Sequence, residues 1–134
     1  MSLHEKLCRD SRGQAIVETA LVLPLLLLLL MGIIEFGRLG NTYLAVTHAA
    51  RHGVRHATVG ASNSDIVARV QAAATPLTRE NITVEVTPVS ALRRSGQDVT
   101  VTVTYPLRLY LPFANLVFTA NPVVVRSSLT MRAE

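Results

Sequence analysis

Aromatic residues are scarce: the 134-residue chain has no tryptophan, three tyrosines and three phenylalanines. Its basic residues form no cluster with interleaved aromatics, which argues against a nucleic-acid surface. Cys8 is the only cysteine. That excludes an intrachain disulfide and any cysteine-based zinc spacing. Lys6 is the only lysine, and every later basic residue is arginine or histidine. The part after residue 38 carries no paired carboxylates, no nucleophile elbow and no glycine-rich phosphate loop, so neither an enzyme nor a cofactor is expected.

What is abundant is apolar surface. Hydrophobic residues make up 49% of the chain, the net charge is +4 and the mean hydropathy is +0.36. This is too apolar for an ordinary soluble domain and too polar for a multi-span protein. The apolar residues concentrate between 15 and 37, interrupted by Glu18, Thr19 and Glu35. As a helix this segment is roughly 35 Å long, enough to cross a bilayer core of about 30 Å. Pro24 lies inside it, where it removes a backbone hydrogen bond and predicts a kink or local softening. A cleaved secretory signal fits less well, because Glu35, Phe36 and Arg38 follow where a small-residue cleavage site should stand.

Glu18 is the residue in this segment that demands a reason. An ionised carboxylate inside a span costs about 2.5 kcal/mol or more. It needs a headgroup or a cation, and the next arginine in sequence is Arg38 at the other end of the run. If the chain were cut after Gly13, the amine of Gln14 would open the helix. Glu18 would then be its fifth residue, able to pair with the terminus of a neighbouring copy.

The remaining elements are read from periodicity. The helix is expected to continue to about Ala57, with Tyr43, Val46, Ala50 and Val54 on its less polar face. Residues 60–63 end it, and 62–74 form a second helix with Ser62 or Asn63 as cap and Ile66, Val67, Val70 and Ala73 or Ala74 as its stripe. Strict alternation over 82–87 and over 99–105, and two phases over 123–132 (Val123, Val125, Leu129 and Met131 against Arg126, Ser128, Thr130 and Arg132), predict three antiparallel strands with one face covering the helices. Residues 93–97 are the expected turn between the first two. The 106–121 connection carries an apolar patch of Leu109, Leu111, Phe113, Leu116, Val117 and Phe118, expected to fold back or to present a surface.

Arg51 and Arg55 stand at i, i+4 beyond the apolar run. They are candidates for lipid headgroups or for a partner carboxylate such as Glu35 of a neighbouring copy. Phe113 and Phe118 are candidates for partner binding. His48, His52 and His56 share a helix face, and an i, i+4 histidine pair can bind zinc. No acidic residue or cysteine lies nearby in sequence to complete such a site, so a solvated stripe is expected and no metal.

Gly13 and Glu18, after a short basic leader and before a long apolar helix, resemble the signal of type IV pilins and pseudopilins. The run from Arg12 to Ala20, then Leu23-Pro24-Leu25-Leu26 and Gly32 to Arg38, resemble the TadE-like proteins of Tad (tight adherence, Flp) pilus systems. Ala49-Ala50-Arg51-His52-Gly53-Val54-Arg55 resembles that family's Ala-Ala-Arg-x-Gly-x-Arg segment, with His52 where an acidic or polar residue is usual. The close, residues 129–134, also resembles the family's C-terminus.

The resemblance implies a minor pilin or pseudopilin with a pilin-like α+β fold. That fold is a long transmembrane helix continuing outside the membrane, a second short helix and a small three-stranded antiparallel sheet. It implies a leader at 1–13, a helix at 14–58 with its span at about 15–37, and an extracytoplasmic α+β domain at 59–134. A prepilin peptidase would cut between Gly13 and Gln14, and Glu18 and Pro24 would serve subunit packing. The further implied partners are other Tad pilus subunits, inner-membrane assembly proteins and membrane lipid. The chain would sit in a bacterial inner membrane with its N-terminus cytoplasmic. The alternative is an anchored extracytoplasmic binding module that is never processed.

Overall fold

Forty-eight consecutive residues, Ser11–Thr58, form one helix, α1. It is about 72 Å long at about 1.5 Å per residue. The computed structural model describes residues 11–112 and 119–134. Residues 1–10 of the expected leader, Cys8 included, and both Phe113 and Phe118 lie outside the described residues. The helix runs through Pro24 without interruption.

The two halves of α1 live in different surroundings. Every residue from Gly13 to Leu30 is exposed, including Leu21, Leu25 and Leu29 at 63–68%. A core helix of a soluble protein buries such residues; here none of the described residues packs on them. From residue 42 onward one face disappears into the domain. Val46, Ala49, Ala50, Val54 and Ala57 are fully buried, and Thr42 and Ala45 nearly so. Tyr43 does not join them: it is 53% exposed. Three residues before Val46 it sits about 60° around the helix, on the shoulder of the buried stripe rather than within it.

Gly60 ends α1. At φ +82° it adopts the left-handed conformation that costs glycine no Cβ clash. The Ala61 N–H then reaches the His56 carbonyl, and the Gly60 N–H reaches that of Ala57. This is a Schellman closure, satisfying carbonyls that the last turn leaves unpaired. A second helix, α2 (Asn63–Ala73), follows at once. Its cap is Ser62, whose hydroxyl accepts from the Asp65 N–H at 3.2 Å. Ile66 and Val70 are its buried residues. Val67 is only half-buried.

Three strands complete the described fold: β1 (Thr83–Thr87), β2 (Asp98–Leu107) and β3 (Val123–Arg132). They form one antiparallel sheet in the order β1-β2-β3. Because side chains alternate, one face carries Val99, Val101, Val103, Leu107 and Val125 against the helices. The other carries threonines and serines, with Thr100 bonded to Thr130 at 2.7 Å and Thr102 to Ser128 at 2.9 Å. β2 runs longer than its alternation suggests, to Leu107, and Pro106 falls beyond the last β1 pair, Thr83 with Thr104. The architecture is the expected α+β one.

Two connections differ from expectation. The link between β1 and β2 spans 88–97, and Arg93 is an anchor within it rather than a turn residue. Its Nη1 donates to the Ala61 carbonyl at 2.7 Å and its Nε to that of Pro88 at 3.1 Å. Its Nη2 bonds Asn63 Oδ1. Burial lowers its pKa from the usual arginine value. The apolar patch after β2 also begins as core: Leu109 is buried and Leu111 packs against it. Asn121 fastens the far end, its amide accepting from the Leu109 N–H and donating to the Leu109 carbonyl, both at 3.1 Å.

Helices and sheet approach closely at Gly53. A Cβ there would lie 2.5 Å from Val70 Cγ2 and 3.1 Å from Val101 Cγ1. Neither contact is the tip of a flexible side chain, so the helix or the sheet must move. We therefore expect Gly53→Ala to be destabilising by about 1–2 kcal/mol, overpacking outweighing the gain of about 1 kcal/mol in helix propensity. Chemical denaturation in detergent checks this, and Gly53→Ala combined with Val70→Ala should recover part of the loss by clearing the nearer contact.

Candidate functional site

Gly13, Gln14, Glu18 and Pro24 all lie on the bare half of α1 and are exposed. Glu18 shares a shallow groove along the helix with Ala15, Thr19, Val22, Leu23 and Leu26. The Thr19 hydroxyl is turned back to the Ala15 carbonyl at 2.8 Å. Among the described residues Glu18 forms no ion pair. A carboxylate thus sits within an apolar surface that the rest of the described chain never covers.

Arg51 and Arg55 point outward from the packed half and are exposed. The segment around them divides by size. Ala49, Ala50, Gly53 and Val54 turn inward, while Arg51, His52 and Arg55 turn outward. The small residues of this motif let α2 and β2 approach, and its charged residues stay free for contact. His48, His52 and His56 line a groove of about 510 Å³ between α1 and α2, facing Arg69 and Ala72. The cationic Arg69 opposes a metal ion there, and among the described residues no three metal-ligating side chains converge.

The domain is fastened to the bare half of α1 by a polar clasp. Arg38 Nη1 donates to both Glu35 carboxylate oxygens at 2.9 Å. The Tyr110 backbone N–H donates to Glu35 Oε1 at 3.0 Å. Arg38 Nη2 reaches the Arg108 carbonyl at 3.4 Å, and its guanidinium lies 4.9 Å from the centre of the Tyr110 ring. The Glu35 side chain is only 9% exposed, so it depends on these donors. Glu35 is therefore engaged within its own chain, a role that the expected pairing with Arg51 or Arg55 of a neighbour did not include. The i, i+3 spacing of Glu35 and Arg38 was visible in the sequence, but Tyr110 lies 75 residues away and only the fold brings it in.

These features define a class: a long apolar helix, fit for a membrane anchor, that carries a small α+β domain on its C-terminal half. The sequence profile of the family described as TadE-like protein matches residues 13–55, about a third of the chain. The matched part begins at Gly13, includes Glu18 and the clasp's helical half, and ends at Arg55. The resemblance to this pilus-associated, structural family is thus shown for α1. No curated protein and no solved structure matches the chain.

Replacing Glu35 by glutamine removes the charge while keeping its shape. We expect destabilisation of about 1–3 kcal/mol, with Arg38 left uncompensated. Amide hydrogen exchange should quicken at Tyr110, whose N–H loses its carboxylate acceptor, and hardly change in β1.

Proposed function

We propose that this chain is a TadE-like minor pilin or pseudopilin acting in the assembly of a Tad pilus. A prepilin peptidase removes residues 1–13, and the new amine of Gln14 becomes half of a pair whose other half is Glu18 of a neighbouring subunit. The observation that carries this reading is the position of Glu18: among the described residues it is exposed, on an apolar helix surface with nothing packed on it, and without an ion pair. Such a surface is suited to packing against other helices, and a buried carboxylate there specifies register if a cation meets it. The start of the family match at Gly13 supports the position of the cut.

In this mechanism each part of α1 has its task. Gly13 offers the peptidase a small residue, and Pro24 lets the helix soften when it is extracted from lipid. The packed half holds the domain 59–134 outside the cytoplasm, in a bacterial inner membrane. Arg51 and Arg55 reach acidic groups on other Tad subunits or inner-membrane assembly proteins, and Phe113 and Phe118 contribute apolar contact.

The mature N-terminus tests the proposal. Sequencing the protein from cells that carry a prepilin peptidase should find Gln14. An intact Met1 would instead support an anchored module that is never processed. Glu18→Ala should leave cleavage largely intact while pilus assembly fails; normal piliation would remove the pairing. Arg51→Gln with Arg55→Gln should reduce co-purification with other pilus components and leave the fold unchanged, as judged by circular dichroism.

A further inference from the structure

We propose that the cleft beside the Glu35–Arg38 clasp is a binding site for the phosphate of an anionic phospholipid headgroup. This rests on the membrane placement of α1. The cleft has a volume of about 310 Å³ and is lined by Arg38, Asn81, Tyr105, Arg108, Tyr110 and Pro122 among others. Two guanidinium groups and an amide contribute donors, and both tyrosines bring rings. Glu35 offsets one positive charge, so the three ionised groups sum to a net positive site. Arg38 gives Nη1 to Glu35 and only a long 3.4 Å contact from Nη2 to the Arg108 carbonyl. Its Nε forms no hydrogen bond among the described residues. Arg108 is exposed, and its side chain takes no part in the clasp.

Position selects a lipid as the source of the phosphate. The exposed apolar surface of α1 runs to Ile34, and Phe36 and Tyr110 beside the clasp are 65% and 68% exposed. Exposed aromatic rings at the end of an apolar helix suit the headgroup layer. That layer adds roughly 5–8 Å on each side of the hydrocarbon core. Arg38 lies about 6 Å along the axis from Ile34, within the layer, whereas Arg51 and Arg55 lie about 26 Å and 32 Å away. In this placement headgroup contact passes from Arg51 and Arg55 to Arg38 and Arg108.

The test uses the full chain in nanodiscs of phosphatidylcholine containing a minor fraction of phosphatidylglycerol, with the retained lipid identified by mass spectrometry after detergent extraction. Wild type should retain phosphatidylglycerol above its bulk fraction. Arg108→Gln, which leaves the clasp untouched, should lower that enrichment about fivefold, and adding Arg38→Gln should abolish it. Arg51→Gln with Arg55→Gln should retain it. Undiminished enrichment in Arg108→Gln, or loss in the Arg51/Arg55 variant, would overturn the site. Titrating the detergent-solubilised chain with inorganic phosphate separates the sources: saturable binding that Arg108→Gln abolishes, without lipid enrichment, would make the ligand a soluble phosphate and overturn the lipid assignment. A chain that inserts but shows no enrichment refutes the headgroup site alone. A chain that fails to enter the discs refutes the membrane placement too.

Discussion

Close approach at Gly53 is the constraint on which the domain depends. A single helix must supply both an uncovered apolar surface and one wall of a core. It can do so because its second half is lined with alanine and glycine. Ala49, Ala50, Gly53 and Ala57 are small enough for α2 and β2 to come within contact of the helix backbone. Valines from three elements then fill the space: Val46 and Val54 of α1, Val70 of α2, and Val99, Val101 and Val103 of β2. The core is narrow but continuous, and it contains little besides branched aliphatic side chains and these small residues.

The clasp solves a different problem. The core ends before the apolar half of α1 begins, and the end of the sheet must still be held against the helix. Glu35 does this through an ion pair with Arg38 and a hydrogen bond from the Tyr110 backbone. The shielded carboxylate gains from charged hydrogen bonds there, where a surface ion pair would contribute little. The exposed contact between Arg126 and Glu85 at 3.7 Å is of that weaker kind. At the opposite end of the domain Arg93 plays the corresponding part, joining the β1–β2 connection to the turn between the helices. Two arginines, one at each end, thus fix the connections that the apolar core does not reach.

Between these ends the exposed arginines, Arg51 and Arg55, are set by the same packing. Small residues facing inward oblige their neighbours, a third of a turn away, to face outward. The motif that resembles the TadE-like family is thereby a packing element that leaves its two arginines exposed. Near the other end of α1, Glu18 has the reverse character: a charge that packing within the described chain does not use. Its surroundings consist of the apolar face on which it stands.

The local elements were legible because their signals are local. Alternation marked all three strands, Ser62 and Gly60 marked the break between the helices, and the apolar run marked the bare half of α1. Glu18 stood out by chemistry alone, and Gly53 only within a motif. What periodicity could not supply was distance across the fold. Tyr43 looked like part of the buried stripe because helical spacing carries no information about how wide the covering sheet is. Arg93 looked like a turn residue, since its acceptors at Ala61 and Asn63 come from another part of the chain. Glu35 looked available to a neighbour, because nothing near it in sequence announces Tyr110. By itself, then, the sequence determined which segments form helix and strand, since those follow from short-range periodicity and capping. The tertiary structure decided which charges are engaged and which remain free, since that depends on groups the chain brings together only when folded.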